Sequence, residues 1–394
     1  MHRVARGWLS MRTRQTNEKR RPNRRRHLLF LGIGLLFLIL SVPAKALAHE
    51  RWFVKDLSRY PIHFELLFSW PVLAALVVSG GAVMTARFLD KRYRQRQRQQ
   101  NPDFDNALLG IGEERLRRVY GYLPLLLAVH TAVPMLVSGF SLQLFAPNLA
   151  MRPNLLSGVL ALAEVLIALA LVYGVMTEIA ALAMIGLFVA GMLLGPFTGI
   201  ASFVLLEHTE FIGIAVFLYI IGRGPFSGDA LLGRSVHPNP NLVPYALPAL
   251  RWGLGLSIVI LAFTEKLLDP ALAQAFLHQK IDFNIGSAFG LPDNLFVVLA
   301  GIGELTFGAL LLSGFLPRLV IIAMWVPFNL TLPYLGWTEL AGHLPIYAIM
   351  LTLLLVGPTS HRAAQRSAII LAEESGAIPR SESIESVTSG KALG

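Results

Sequence analysis

Long apolar blocks separated by short polar connectors organise the chain and limit what it can fold into. Each block runs for about 18 to 24 residues with few charges, the length a helix needs to cross a hydrocarbon layer about 30 Å thick. Backbone N–H and C=O groups find no water in lipid, so such blocks must satisfy their own hydrogen bonds as helices. Only 15% of the 394 residues are charged, against about 25% in a soluble domain. The sequence therefore predicts an all-α polytopic membrane protein whose first partner is the lipid bilayer, and excludes a soluble enzyme.

The formal net charge of +10 is not a nucleic-acid signal, because its placement is uneven. Arg3, Arg6, Arg12, Arg14, Lys19, Arg20, Arg21 and Arg24 to Arg26 face the single acid Glu18 within the first 26 residues, leaving the rest of the chain nearly neutral. A basic run directly before an apolar one sets topology, and no nucleic-acid partner is expected. Cysteine is absent, which excludes thiolate chemistry, iron–sulfur clusters and c-type haem attachment.

Leu28 to Val42 is an apolar run of 15 residues, short for a span, followed by Ala46-Leu47-Ala48. Small residues in that spacing fit a signal-peptidase site, so residues 1–48 read as a cleavable leader with a long basic start, Met11 being a second candidate start. An uncleaved anchor is the alternative. Cleavage would leave His49 at the new N-terminus, where its amine and imidazole nitrogens could chelate copper with His63 as a further ligand; a solvated segment outside the membrane is the plainer reading.

After residues 49–118 (outer segment, first span and basic connector), spans are expected at about 120–144, 155–175, 178–195 and 205–222, then at about 250–268, 294–315, 318–336 and 343–357. The first span, at about 65–88, ends in Arg87, Lys91, Arg92, Arg94, Arg96 and Arg98. The positive-inside rule puts that connector in the cytoplasm, the mature N-terminus outside and the C-terminus inside. Residues 93–101 read as a solvated linker or a helix on the headgroups, and residues 358–394 as a disordered tail. A bacterial plasma membrane fits this plan.

The two groups of four spans, residues 119–222 and 250–357, read as copies joined by a cytoplasmic linker, 223–249. Phe140 to Ala150 lies over Phe263 to Ala273, sharing Pro147 and Pro270. Ala163-Glu164 through Gly174 to Phe188 lies over Gly303-Glu304 through Gly314 to Phe328 without a gap, and His208 falls near His343. An even number of spans per copy makes these parallel repeats, two four-helix bundles plus one N-terminal span. The second copy carries the longer outer loop, Gln274 to Asp293.

Leu250-Arg251-Trp252-Gly253, Glu265-Lys266-Leu267, Gly303-Glu304 with Gly308, the Gly314 to Arg318 turn and Gly342-His343-Leu344 resemble the DoxX family of small four-helix membrane proteins. The resemblance covers about 250–357 well and 120–222 weakly; Ala128 replaces Arg251, and Leu142-Gln143 replace Glu265-Lys266. It implies an association with quinone-linked oxidoreductases, a non-covalently bound quinone as cofactor and a soluble oxidoreductase as partner. Some relatives look like membrane subunits of thiosulfate:quinone oxidoreductase.

Charges at membrane depth cost about 2.5 to 3.5 kcal/mol each, so the polar residues inside spans need partners or a purpose. Glu304 and His343, with Glu164 and His208 as first-copy counterparts, are the candidate quinone and proton site, since a buried carboxyl and an imidazole both exchange protons near neutrality. The competing reading is that each Glu and His satisfies the other, or backbone groups, and holds its bundle together. Glu265, Lys266 and Arg251 are weaker cofactor-binding candidates and read first as topology anchors at span ends. Glu207, His208 and Glu210 form a further acidic cluster, and His130 reads as a packing residue. Three functions remain open: a quinone-associated membrane subunit, a non-enzymatic scaffold or assembly factor, and a small-solute or metal transporter.

Overall fold

A computed structural model describes residues 50–54, 56–100, 119–234, 241–278, 284, 286–357 and 361–376. Among the described residues, nine helical segments are long and apolar enough to cross a membrane. The chain is an integral, polytopic, all-α membrane protein. The leader, the Ala46-Leu47-Ala48 motif and His49 lie outside the described residues.

Residues 50–68 form short 3₁₀ turns and lead into α1 (Trp70–Gln100). The first group of four comprises α2 (Leu123–Phe140), α3 (Leu155–Tyr173), α4 (Thr177–Thr198) and α5 (Thr209–Ile221), the last entered through turns over Ser202–Leu205 and Leu206–His208. The second comprises α6 (Ala246–Leu261), α8 (Asp293–Ser313), α9 (Pro317–Leu335) and α10 (Trp337–Val356), with α7 (Pro270–Leu277) after α6. Near its end α6 widens into a π-helical turn over Ala262–Leu267. Such turns carry one extra residue and often mark functional sites.

Helix ends follow local chemistry. The Asn154 side chain accepts from the Ser157 N–H at the start of α3, and Asp269 does the same for the Leu272 N–H of α7, where Pro270 has no N–H to satisfy. Gly174 and Gly314 each close the second helix of their group at positive φ, 63° and 71°. Met176 and Leu316 follow with φ of 53° and 48°, so the two groups turn alike.

Within each group the first helix packs on the second, the second on the third, and the third on the fourth. Between groups the packing is crosswise: α5 lies against α6, and α10 against α2. The α5–α6 crossing is close because glycines make it. A Cβ on Gly253 would sit 2.8 Å from the Gly213 Cα and 2.9 Å from the Thr209 carbonyl oxygen, backbone atoms that cannot swing aside. The Thr209 hydroxyl donates to the Gly253 carbonyl at 2.9 Å and Ser257 to the Glu207 carbonyl at 2.6 Å, tying the same seam. Outside these groups, α1 packs on α8, with Val72 and Ala75 meeting Leu267 and Leu305.

Two expectations are corrected. The span expected to reach about 144 ends at Phe140, and Gln143–Leu144 and Ala146–Ala150 pair as a small antiparallel hairpin between α2 and α3. Residues 93–100 continue α1 as helix, the second of the two readings given for them. The tail is not disordered throughout, because His361–Glu374 forms helix α11, which buries Ala368, Ile370, Leu371 and Ala372 against the start of α6 and the end of α10. Five consecutive apolar residues, Ala368 to Ala372, provide that face; residues 377–394 lie outside the described residues.

Gly253→Ala is expected to lower the thermal unfolding midpoint in detergent, at a cost of about 1–3 kcal/mol for overpacking. Gly158→Ala, where a Cβ meets nothing within 4 Å, should leave the midpoint unchanged or raise it slightly.

Candidate functional site

The polar residues of the second group converge on the N-terminal segment. Lys266, on the π-helical turn, is 2% exposed. Its Nζ lies 2.6 Å from Glu50 Oε1 and 2.9 Å from Glu304 Oε1. Glu304 sits about 16 Å along α8 from Asp293, midway along that helix. Glu265, beside Lys266, faces the segment through both oxygens, accepting from the Glu50 N–H at 2.9 Å and the Arg51 N–H at 3.3 Å. The Arg51 guanidinium donates to the Thr264 carbonyl at 2.9 Å, and lies 3.3 Å from Glu207 and 3.8 Å from Asp269.

Five buried carboxylates (Glu50, Glu207, Glu265, Asp269, Glu304) thus share two cations, Arg51 and Lys266. Burial pushes the Glu50 carboxyl well up, with the nearby Glu265 and Glu304 charges adding to the rise and Lys266 opposing it. Burial also raises the Asp269 carboxyl, against the pull of the Leu272 N–H and Arg51. Among the described residues, the buried Oε2 atoms of Glu50 and Glu304 have no hydrogen-bond partner. Such a cluster carries more carboxylate than its cations neutralise, so protons belong to its resting state.

Beside the charges, Trp52 occupies the seam between the groups. Its ring stacks on His208 with centroids 6.4 Å apart and an interplanar angle of 12°, and tilts against His343 at 5.2 Å. Its indole N–H donates to Asn148 on the hairpin at 3.1 Å. A side chain on Gly342 would run into this indole. Each histidine has a carboxylate neighbour at 3.3 Å: Glu210 for His208 and Glu339 for His343. Glu339 also accepts from the Thr331 hydroxyl at 2.8 Å.

The candidates from sequence are therefore distributed differently from the Glu–His pairs expected. Glu304 binds Lys266, while His343 neighbours Glu339 and packs on Trp52, so both border the N-terminal segment without pairing. Glu164 accepts from the Phe145 N–H at 2.8 Å, holding the hairpin, and does not meet His208. Glu265 and Lys266 are not surface anchors, since both are buried in the site. Arg251 lies at the other end of α6 against Gly314, away from the cluster. His63 lies 2.8 Å from Glu65 on an exposed surface. Among the described residues, no group of three or more His, Asp or Glu is arranged to hold a metal. His130 makes a contact of 2.9 Å with the Leu126 carbonyl of its own helix, a packing role.

Sequence reading missed Glu50, Arg51, Trp52 and Asp269. Glu50 and Arg51 meet partners more than 200 positions away, and periodicity carries no signal for such contacts. A hint lay in the charged pair Glu50-Arg51 followed by the aromatics Trp52-Phe53, shortly after the Ala46-Leu47-Ala48 motif.

Fold and site together define a polytopic membrane protein in which two groups of four helices enclose a buried, carboxylate-rich ion-pair network closed by its own N-terminal segment. No protein-family model, curated protein or solved structure matches the chain.

Two expectations follow. Lys266→Met leaves Glu50 and Glu304 facing each other without a cation and is expected to cost about 3–5 kcal/mol of stability. Adding Glu304→Gln should recover part of that loss, as a double-mutant cycle would report. The second concerns pH. The native state holds the Glu50 proton better than the unfolded chain does, so this contribution is complete below the ordinary carboxylate range and is lost as pH rises through the raised value. Glu50→Gln should flatten that part of the fall in stability with rising pH, measured by thermal unfolding across a pH series.

Proposed function

We propose that this protein is the lipid-embedded subunit of a quinone-linked oxidoreductase system in a bacterial plasma membrane, with residues 50–68 on the outer side. The carboxylate excess of the buried network carries the reading. Five acids and two cations in a low dielectric hold protons that can be given up or taken back. A quinone exchanges protons together with electrons, and so needs such groups within reach. The unpartnered oxygens of Glu304 and Glu50 fit that need: a protonated carboxyl donates to a carbonyl, and a carboxylate accepts from a hydroxyl. Lys266 holds both carboxyls in place and offsets the charge left when either loses its proton. A soluble partner supplies the electrons.

Matching turns at Gly174–Met176 and Gly314–Leu316, together with the crosswise packing, support a duplicated DoxX-like unit. The second copy supplies Glu265, Lys266, Asp269 and Glu304 to the charged site, while the first supplies Glu207 and keeps Glu164 in a structural role. One observation favours the scaffold reading instead: Trp52 fills the space between His208 and His343, as a structural lock would.

Quantifying quinones that co-purify after mild detergent extraction separates the two. Near-stoichiometric quinone in the wild type that falls about tenfold or more in Glu304→Gln, equivalent to about 1.4 kcal/mol, is expected. Quinone no higher than that carried by an unrelated membrane protein overturns the proposal in favour of the scaffold.

A further inference from the structure

The connection between α5 and α6 builds a half-open cavity of about 260 Å³, apart from the buried network. Arg223, Ser227, Asp229 and Arg234 line it, together with Ser375 and Gly376, which follow α11. It begins where α5 leaves its span at Ile221, so it sits at the membrane border. Helices α1, α3 and α5 run in the same direction through the membrane. The cavity therefore lies on the side where α1 ends in Arg87, Lys91 and Arg92.

The connection is docked on the α3–α4 turn. The Asp229 N–H donates to the Gly174 carbonyl at 2.9 Å. The Asp229 carboxylate accepts from the Met176 N–H at 2.8 Å and the Thr177 N–H at 3.0 Å, so the start of α4 engages the one acid of the lining. Arg223 is 3% exposed and donates to the Leu171, Val172 and Phe226 carbonyls at 2.9, 2.9 and 3.3 Å. A guanidinium carries five N–H groups, which leaves two of them for a ligand. Among the described residues, neither Arg223 nor Arg234 forms an ion pair with a carboxylate. Beside the cavity the connection exposes Phe226, Leu231 and Leu232, the two leucines at 90% and 63%. Phe226 stacks on Tyr122 with centroids 4.7 Å apart, and aromatic rings of this kind sit at headgroup level.

We propose that this cavity binds the headgroup of an anionic phospholipid from the adjoining leaflet, with Arg223 and Arg234 holding its phosphate and Leu231 and Leu232 resting among its acyl chains. Two cations without a carboxylate partner call for an anion. A free phosphate would use the arginines and leave the leucines in water, whereas a lipid uses both. A zwitterionic headgroup brings an ammonium that the arginines repel. The volume falls below the range of about 300–1,000 Å³ typical of drug-sized ligands, which suits a headgroup. Basic recesses at the ends of spans hold acidic lipids in this way. Glu373 and Glu374 precede Ser375 without lining the cavity. This inference stands apart from the quinone reading and survives its failure.

The test is native mass spectrometry of the full-length protein, delipidated in detergent and titrated with phosphatidylglycerol or phosphatidylcholine. Wild type is expected to prefer phosphatidylglycerol by about fivefold or more. Arg234→Gln should weaken phosphatidylglycerol about fivefold, the effect of one cation at an anionic membrane surface. Leu231→Ser combined with Leu232→Ser should weaken it as well. These side chains are exposed, so the unfolding midpoint without lipid should match wild type. Arg59→Gln, at a side chain 76% exposed on the opposite side, is the control and should bind like wild type. Equal affinity for the two lipids, unchanged affinity in Arg234→Gln or an equal loss in Arg59→Gln overturns the proposal. Inorganic phosphate at equal concentration is expected to leave the lipid bound. Displacement by it, or unchanged affinity in the leucine variant, overturns the lipid in favour of a free anion.

Discussion

Lys266 sits between two carboxylates at membrane depth, and the surrounding structure is arranged to make that possible. Its Nζ is within 3 Å of both Glu50 and Glu304, which come from opposite ends of the sequence. An isolated ammonium in this setting would be expelled or neutralised. Its retention requires the π-helical turn that directs it inward, α8 to deliver Glu304 and the N-terminal segment to deliver Glu50. Removing any of these leaves a charge unpaired. The glycine crossing of α5 and α6 belongs to the same arrangement, since it brings Glu207 close enough for Arg51 to reach it.

Much of the architecture was legible in the sequence. Apolar block length alone located the spans, because lipid leaves a backbone no alternative to helix. Glu304 and His343 stood out because charge and imidazole are rare at such depth, and both border the N-terminal segment. Local chemistry was harder to read where it depended on short runs. The hairpin at 143–150 hid within a sequence apolar enough to extend α2, and the apolar face of α11 was diluted among Ser and Glu.

The reading of Lys266 failed for a physical reason. A lysine one residue from a span end normally reaches for water along its own aliphatic stem. Here the partner carboxylates are offered on the inner side, and an ion pair within 3 Å in low dielectric outweighs the distant headgroup region. Composition and spacing cannot reveal which way such a side chain turns, because the deciding partner, Glu50, lies over 200 residues upstream.

On the proposed duplication, the crosswise packing has an evolutionary meaning. Fourth helix on first, in both directions, is the contact that two separate four-helix chains would make about a two-fold axis, where every residue change appears twice. Joining the halves in one polypeptide removes that obligation. One half can acquire Glu265 and Lys266 while the other keeps Leu142 and Gln143, and a single N-terminal segment can lie across an axis where two symmetric ones would collide. On that reading, fusion is what permits an asymmetric centre between two groups that pack in the same order.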